Sequence, residues 1–253
     1  MGKAWRWLLL GVFATSITLG ASQEFAPYPD INNKAFIKEY VDAHNTFRRG
    51  VKPSATNMLY MSFDLALARI AKAYAKKCIW DHNNNDMIHP DPKFQPFGEN
   101  LWMGSASTQP FNVTAAIELF YSETKYYDLS AHKCTGVCGH YTQVVWASSY
   151  KVGCAATFCR KLKRDENMGL LVCDYAPAGN YKGVRPYKAG NPCSECQAKD
   201  TCENNLCRNL QRDQENTSYA NWYPPSKGFK AFVNVYSICS CLFLKTLLFW
   251  IKF

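Results

Sequence analysis

The chain has 253 residues, 12 cysteines and a formal charge of +9, a length that carries one large domain plus an appendage. Two of the positive charges, Lys3 and Arg6, fall in an N-terminal segment expected to be removed, and the rest of the excess is spread along the chain. The densest basic cluster, Arg160-Lys161-Leu162-Lys163-Arg164, runs straight into Asp165 and Glu166; it reads as a solvated hairpin tip, so nucleic acid is not an expected partner, while a basic surface still favours acidic glycans or anionic lipid.

Residues 1–22 read as a signal peptide. Lys3 and Arg6 form a charged start, Trp7 to Leu19 is mostly apolar, and Gly20-Ala21-Ser22 supplies small residues for cleavage. The apolar run is short for a membrane anchor. Export places the chain in oxidising surroundings, so the cysteines are expected to be mostly disulfide-bonded. Sequons at Asn112 and Asn216 agree with export and are the expected glycosylation positions.

Residues 23–35, with Pro27 and Pro29, form an extended lead. From Asn33 to Arg49, apolar Phe36, Ile37, Tyr40, Val41 and Phe47 recur at helical spacing, and His44 shares their stripe. With no acidic companion on that face, His44 reads as a packed, hydrogen-bonded core residue. Gly50 and Pro53 end the helix. Asp64 is the expected N-cap of a second helix running to about Cys78, with Leu67, Ile70, Ala71 and Tyr74 as its buried stripe. A disulfide at Cys78 would pin the segment that presents His82. Residues 83–97 form a long polar loop that needs another part of the fold to hold it. The loop ends in Gly98-Glu99-Asn100-Leu101-Trp102, which sets Glu99 at the start of an apolar strand as a candidate inward-facing acid.

A third helix is expected from near Asn112 to Asp128. Ala116, Phe120, Glu123 and Tyr127 then share one face, so Glu123 lies among apolar and aromatic side chains. A buried carboxylate is costly unless paired, so Glu123 demands a cation or a protonated histidine. Cys134 and Cys138 are close enough for a small loop. In Gly139-His140-Tyr141-Thr142-Gln143-Val144-Val145-Trp146, the strand-favouring residues predict a short strand with His140 at its mouth. Tyr150 to Phe158 and Leu170 to Tyr175 read as two more strands, with residues 160–169 as the turn. Ala176 to Asn191 is irregular.

The main domain is expected over residues 33–190. Residues 191–210 hold Cys193, Cys196, Cys202 and Cys207 and are too few for a separate core, so they read as a stapled appendage. The first pair has CxxC spacing, which makes zinc the rival to disulfides; export and the spacing of the second pair favour disulfides. Residues 211–230 form a linker. Residues 231–251 are apolar and long enough to cross a bilayer, although Lys245 is expensive there and a lipid-anchor signal is the alternative. Cys239 and Cys241, inside this tail, are expected to be free thiols or acylation sites.

Three segments together resemble a known family. Gly139 to Trp146, Gly98 to Trp102 and Cys173-Asp174-Tyr175-Ala176-Pro177-Ala178-Gly179-Asn180-Tyr181 are similar, in order and spacing, to the motifs of the CAP superfamily of cysteine-rich secretory, antigen 5 and pathogenesis-related proteins. The resemblance covers about residues 33–223. It implies an α+β fold, a three-layer α-β-α sandwich with a small disulfide-stapled C-terminal extension. It implies a central cleft of two histidines and two acids, here His82, His140, Glu99 and Glu123. It implies disulfides Cys78–Cys159, Cys134–Cys138, Cys154–Cys173, Cys193–Cys202 and Cys196–Cys207. The ion-channel-regulating domain of some relatives has no counterpart after Cys207, so that activity is not expected here.

Three functions compete. The first is an exported binding protein, held at the outer side of the plasma membrane by its tail or secreted. Its cleft would hold zinc or another divalent ion weakly through His82 and His140, and its partners would be a protein receptor or a small lipid such as a sterol or fatty acid. The second is a metal-dependent hydrolase or peptidase in the same cleft, with a glutamate as base. Against it, catalytic zinc usually takes three protein ligands, no HExxH is present, and no serine sits in a nucleophile motif. The third is a purely structural network of four satisfied polar residues.

Overall fold

The structure, a computed structural model, describes residues 27–83, 87–106, 111–215 and 219–225. Helix α1, Lys34–Arg49, starts where the Asn33 side chain accepts hydrogen bonds from the Ala35 and Phe36 amides. A short strand β1, Ser62–Phe63, leads to α2, Leu65–Ala75, capped by Asp64, whose Oδ1 accepts from the Leu67 amide. Strand β2 is Gly98–Ser105 and helix α3 is Val113–Ser122. A 3-10 turn, Glu123–Tyr126, precedes the two-residue strands β3, Tyr127–Asp128, and β4, Lys133–Cys134. Helix α4 is Gly139–Val144. Strands β5, Lys151–Leu162, and β6, Asp165–Ala176, form the central hairpin. Strands β7, Thr201–Glu203, and β8, Leu206–Arg208, and the short α5, Leu210–Asp213, close the chain.

The main sheet has the order β1-β5-β6-β2, which leaves β2 on an edge. Alternation along β6 sends Leu171, Cys173 and Tyr175 to one face and Leu170, Val172 and Asp174 to the other. The first set joins a core with Phe36, Tyr40, Ile117, Phe120, Tyr141 and Val144 from α1, α3 and α4. Leu170 and Val172 pack with Ala68, Ile70, Ala71 and Tyr74 of α2. The result is an α-β-α sandwich. The alanines of α2 let it approach closely: a Cβ on Gly153 of β5 would lie 2.1 Å from the Ala68 nitrogen.

Three elements differ from the sequence reading. Gly139 to Val144 is a helix, not a strand. Its β-favouring side chains are buried against α1 and α3, and the Val145 amide donates to the Tyr141 carbonyl, so tertiary packing overrides a weak local preference. The third helix stops at Ser122, and Glu123 opens the 3-10 turn. The expected turn over residues 160–169 is mostly strand: β5 and β6 pair as far as Leu162 with Asp165, leaving Lys163 and Arg164 at the tip. Leu162 is fully buried, which extends the pairing, while the basic residues around it are exposed.

Among the described residues five disulfides staple the fold: Cys78–Cys159, Cys134–Cys138, Cys154–Cys173, Cys193–Cys202 and Cys196–Cys207. The first spans 81 residues of sequence, and a cross-link over so long a loop removes about 4 kcal/mol of unfolded-chain entropy. Cys193, Cys196 and Cys207 lie close enough to hold a metal, but their sulfurs are used in the disulfides. The C-terminal module is docked as well as stapled. The Cys207 amide donates to the Met58 carbonyl at 2.8 Å, and the Tyr60 amide donates to the Cys207 carbonyl at 2.9 Å. Asn216, Cys239, Cys241 and the apolar tail fall outside the described residues. Among the described residues no helix is long and apolar enough to cross a membrane.

His44 is buried on α1, with Nδ1 against the Tyr40 carbonyl at 2.6 Å and Nε2 against the Tyr175 hydroxyl at 2.9 Å. Burial, more than the nearby Arg48 charge, pushes its pKa down to about 4. An unfolded histidine titrates near about 6.5, so between these values the unfolded chain binds a proton that the folded chain refuses. The contribution of His44 is therefore complete above about pH 6.5 and lost as pH falls toward about pH 4, an effect of order 3 kcal/mol. Urea unfolding of the wild type and His44→Gln at about pH 7 and about pH 4.5 should show the wild type losing more stability than the variant. Equal losses would mean that His44 is not the residue whose titration is suppressed.

Candidate functional site

The two histidine–glutamate pairs are built from different layers. On the α2 side, the chain leaves α2 through Cys78, which is bonded to Cys159. The Tyr74 hydroxyl donates to the Asp81 carbonyl at 2.8 Å and holds the next turn. His82 follows, and its Nδ1 donates to Glu99 Oε1 at 2.8 Å. The Asn83 amide donates to the same oxygen at 3.0 Å. Hydrogen bonding to Glu99 raises the His82 pKa against the opposing effect of desolvation. The Glu99 side chain is only 7% exposed, whereas that of His82 is 57% exposed.

On the other side, Glu123 sits where α3 gives way to its 3-10 turn. Its Oε1 accepts from His140 Nδ1 at 2.6 Å, and its Oε2 accepts the His140 and Tyr141 amides at 3.0 and 3.2 Å. Both carboxylate oxygens are thus used at the start of α4. The imidazole of His140 stacks on Phe120, with ring centroids 5.2 Å apart.

Edge strand β2 joins the pairs. Glu99 faces the α2 side, while its neighbour Asn100 faces the other and donates from Nδ2 to the His140 carbonyl at 3.0 Å. Consecutive strand residues point to opposite faces, so one residue step separates the group that holds His82 from the group that holds His140. A carboxylate oxygen only accepts, so in the neutral ring the proton of each histidine lies on Nδ1 and the Nε2 lone pair is left for a ligand.

Two other residues lie outside the pairs. His89 is buried; its Nε2 meets Asp64 at 3.3 Å and its Nδ1 accepts from the Asp91 amide at 3.0 Å, which commits it to holding the long loop on α2. Asn112 is exposed and caps α3 through a hydrogen bond from the Ala115 amide. A groove of about 1080 Å³ is lined by Tyr127, Leu129, Tyr141, Trp146, Tyr181 and Tyr187. None of the four cleft residues lines it.

Sequence reasoning missed several buried polar residues around the two pairs. Gln143 is buried; its Oε1 accepts from the Gly179 amide at 3.0 Å and its Nε2 donates to the Ser149 hydroxyl at 3.2 Å. Asn100, Tyr175 and Asp174 were likewise not singled out. The signal was present in the runs Gly98-Glu99-Asn100 and Cys173-Asp174-Tyr175, but only the strand register shows on which face of the sheet each residue lies.

A Cβ on Gly98 would lie 2.0 Å from Gln143 Oε1. Gly98→Ala should therefore displace Gln143 from the Gly179 amide and destabilise the fold by about 2 kcal/mol. An unchanged urea midpoint in this variant would show that Gln143 moves aside without cost.

Residues 41–175 match the family described as CAP: Cysteine-rich secretory protein family. Over 218 residues the chain is 48% identical to GLIPR1-like protein 1 of Bos taurus, covering 84% of this chain and 87% of the relative. It is 47% identical over 218 residues to glioma pathogenesis-related protein 1 of Mus musculus, covering 86% and 80% of the two chains. The solved structure of NaASP2 with Zn2+ is similar with a TM-score of 0.54 at 27% identity, over 70% of this chain and 96% of that one. The family match spans more than half of the chain, from α1 through β6, and the relatives extend it through the C-terminal module: the chain belongs to the CAP family of cysteine-rich secretory proteins.

Proposed function

We propose that the chain is an exported binding protein whose cleft holds a divalent cation such as zinc between His82 and His140. The observation that carries this reading is the pairing of each Nδ1 with a carboxylate, which orients both Nε2 atoms as ligands. The similarity to NaASP2, whose structure was determined with Zn2+, supports it. Two imidazoles fill half of a tetrahedral shell, so water completes it and the site is weak. Hydrolysis is the less favoured use, because His89, the nearest further histidine in sequence, is spent on Asp64 rather than offered as a third ligand. A small lipid has room in the aromatic groove beyond Tyr141.

Zinc titration of the wild type, His82→Ala and His140→Ala tests the cation site. Each variant should bind at least about tenfold more weakly. Affinity should also fall as pH drops through the histidine range, since a protonated ring offers no lone pair, and for His82 this competition begins at a higher pH than for a free imidazole. Equal zinc uptake by all three proteins would place the metal elsewhere.

We infer further that residues 231–251 tether the domain to the outer face of a membrane, on the strength of their length and apolar composition. Expression of the full chain and of a form ending at Ser226 should leave the first in the membrane fraction and release the second to the medium. Equal secretion of both would remove the tail as an anchor.

A further inference from the structure

Three buried carboxylate oxygens at the inner end of the His82–Glu99 pair have no hydrogen-bond partner: Glu99 Oε2 and both oxygens of Asp174. Asp174 is fully buried. Strand register sets it directly opposite Glu99 in the β2–β6 ladder, where side chains on one face stand about 5 Å apart at Cβ. On its other side the cross-strand partner is Gly153, which has no side chain. The flanking positions on the same sheet face are Val172, Ala176 and Leu101, all buried and apolar. Glu99 is thus the charged group that these strands bring to Asp174, and it is an anion.

Two carboxylates in such a place do not both stay ionised. Burial, and after it the Glu99 charge, pushes the Asp174 carboxyl well above the usual carboxylate range. Glu99 Oε1 already accepts from both His82 Nδ1 and the Asn83 amide, so the acceptor it leaves for Asp174 is Oε2. Leaving three buried oxygens orphaned costs about 1–3 kcal/mol each, and one shared proton satisfies two of them.

We propose that Asp174 is a positioning residue for the cleft: its carboxyl keeps its proton and donates it in a hydrogen bond to Glu99 Oε2, clamping the Glu99 carboxylate with Oε1 toward His82. The clamp fixes the His82 ring with its proton on Nδ1 and Nε2 outward. Its effect on a metal rests on the cation reading given above; the clamp itself does not.

The test has one arm without metal and one with it. Carbon-13 spectra of the metal-free protein at about pH 7 should show Asp174 as a protonated carboxyl. Nitrogen-15 spectra should show the His82 proton on Nδ1 in the wild type and in Asp174→Asn, whose amide still donates to Glu99. In Asp174→Leu the donor is gone, and the tautomer preference should be lost. Zinc affinity should follow the same order, near wild type for Asp174→Asn and weaker by at least about tenfold for Asp174→Leu. An ionised Asp174 carboxyl in the metal-free wild type overturns the proposal, as does an Asp174→Asn spectrum in which His82 has lost its Nδ1 proton. If Asp174→Leu does not fold, the carboxyl spectrum and the Asp174→Asn tautomer still decide. If zinc does not bind the wild type, the cation reading fails while the two spectra still judge the clamp.

Discussion

The guanidinium of Arg48 is the constraint on which the placement of α4 depends. It leaves the last turn of α1, is fully buried, and donates to the carbonyls of Leu59, Val144, Trp146, Ala147 and Ser149 at distances between 2.6 and 3.2 Å. Val144 closes α4, and the other acceptors lie in two stretches of backbone outside the helices and named strands. A segment without regular structure can be buried only if its carbonyls find donors, and one five-donor side chain supplies most of them here. Desolvation lowers the Arg48 pKa to about 9, a measure of how unwelcome the charge is in that interior. The arrangement persists because removing one partner would orphan several acceptors at once.

With the end of α4 held by Arg48, its start is held by Glu123 and Asn100. Glu123 accepts the His140 and Tyr141 amides, which an α-helix leaves without internal partners, and Asn100 takes the His140 carbonyl. A six-residue helix is far too short to be stable alone, so these contacts and its buried face decide that it exists. Glu123 therefore has two jobs on different atoms: Oε2 fixes the backbone, and Oε1 orients the imidazole. Hydrogen bonds to a charged acceptor are about twice as strong as neutral ones, which suits a residue that must hold a ring still at the surface of the cleft.

The helical parts of the fold were legible in the sequence because their signals are local. Asp64 caps the helix it was expected to cap, and the stripes on α1 and α2 face the core. Glu123 was legible for a related reason, since an acid among aromatic residues at helical spacing is conspicuous whether the turn is α or 3-10. Residues 139–146 misled because Tyr141, Val144, Val145 and Trp146 favour strands, while the side chains that make a helix of them, Arg48 on α1, Glu123 in the turn after α3 and Asn100 on β2, lie elsewhere in the sequence. Asp174 was invisible for the same reason. Its burial follows from β5 and α2, and its pairing with Glu99 follows from a register that joins positions 75 residues apart. Long-range register is what a single sequence expresses least.

The two halves of the cleft are unequally rigid, and this bears on how a cation would enter. His140 is 30% exposed, stacked on Phe120 and fixed at both backbone and ring. His82 is 57% exposed and stands at the end of a turn whose ties are Cys78–Cys159 behind it, the Tyr74–Asp81 hydrogen bond, and Glu99 at its ring. A ligand held in one geometry pays its ordering entropy during folding, whereas an exposed ring pays on binding. On the proposed cation reading, His140 would be the preset half of the site and His82 the half that would settle on binding. The Glu99 carboxylate decides how far His82 has to settle, which is why a buried acid on the next strand matters to a ring at the surface.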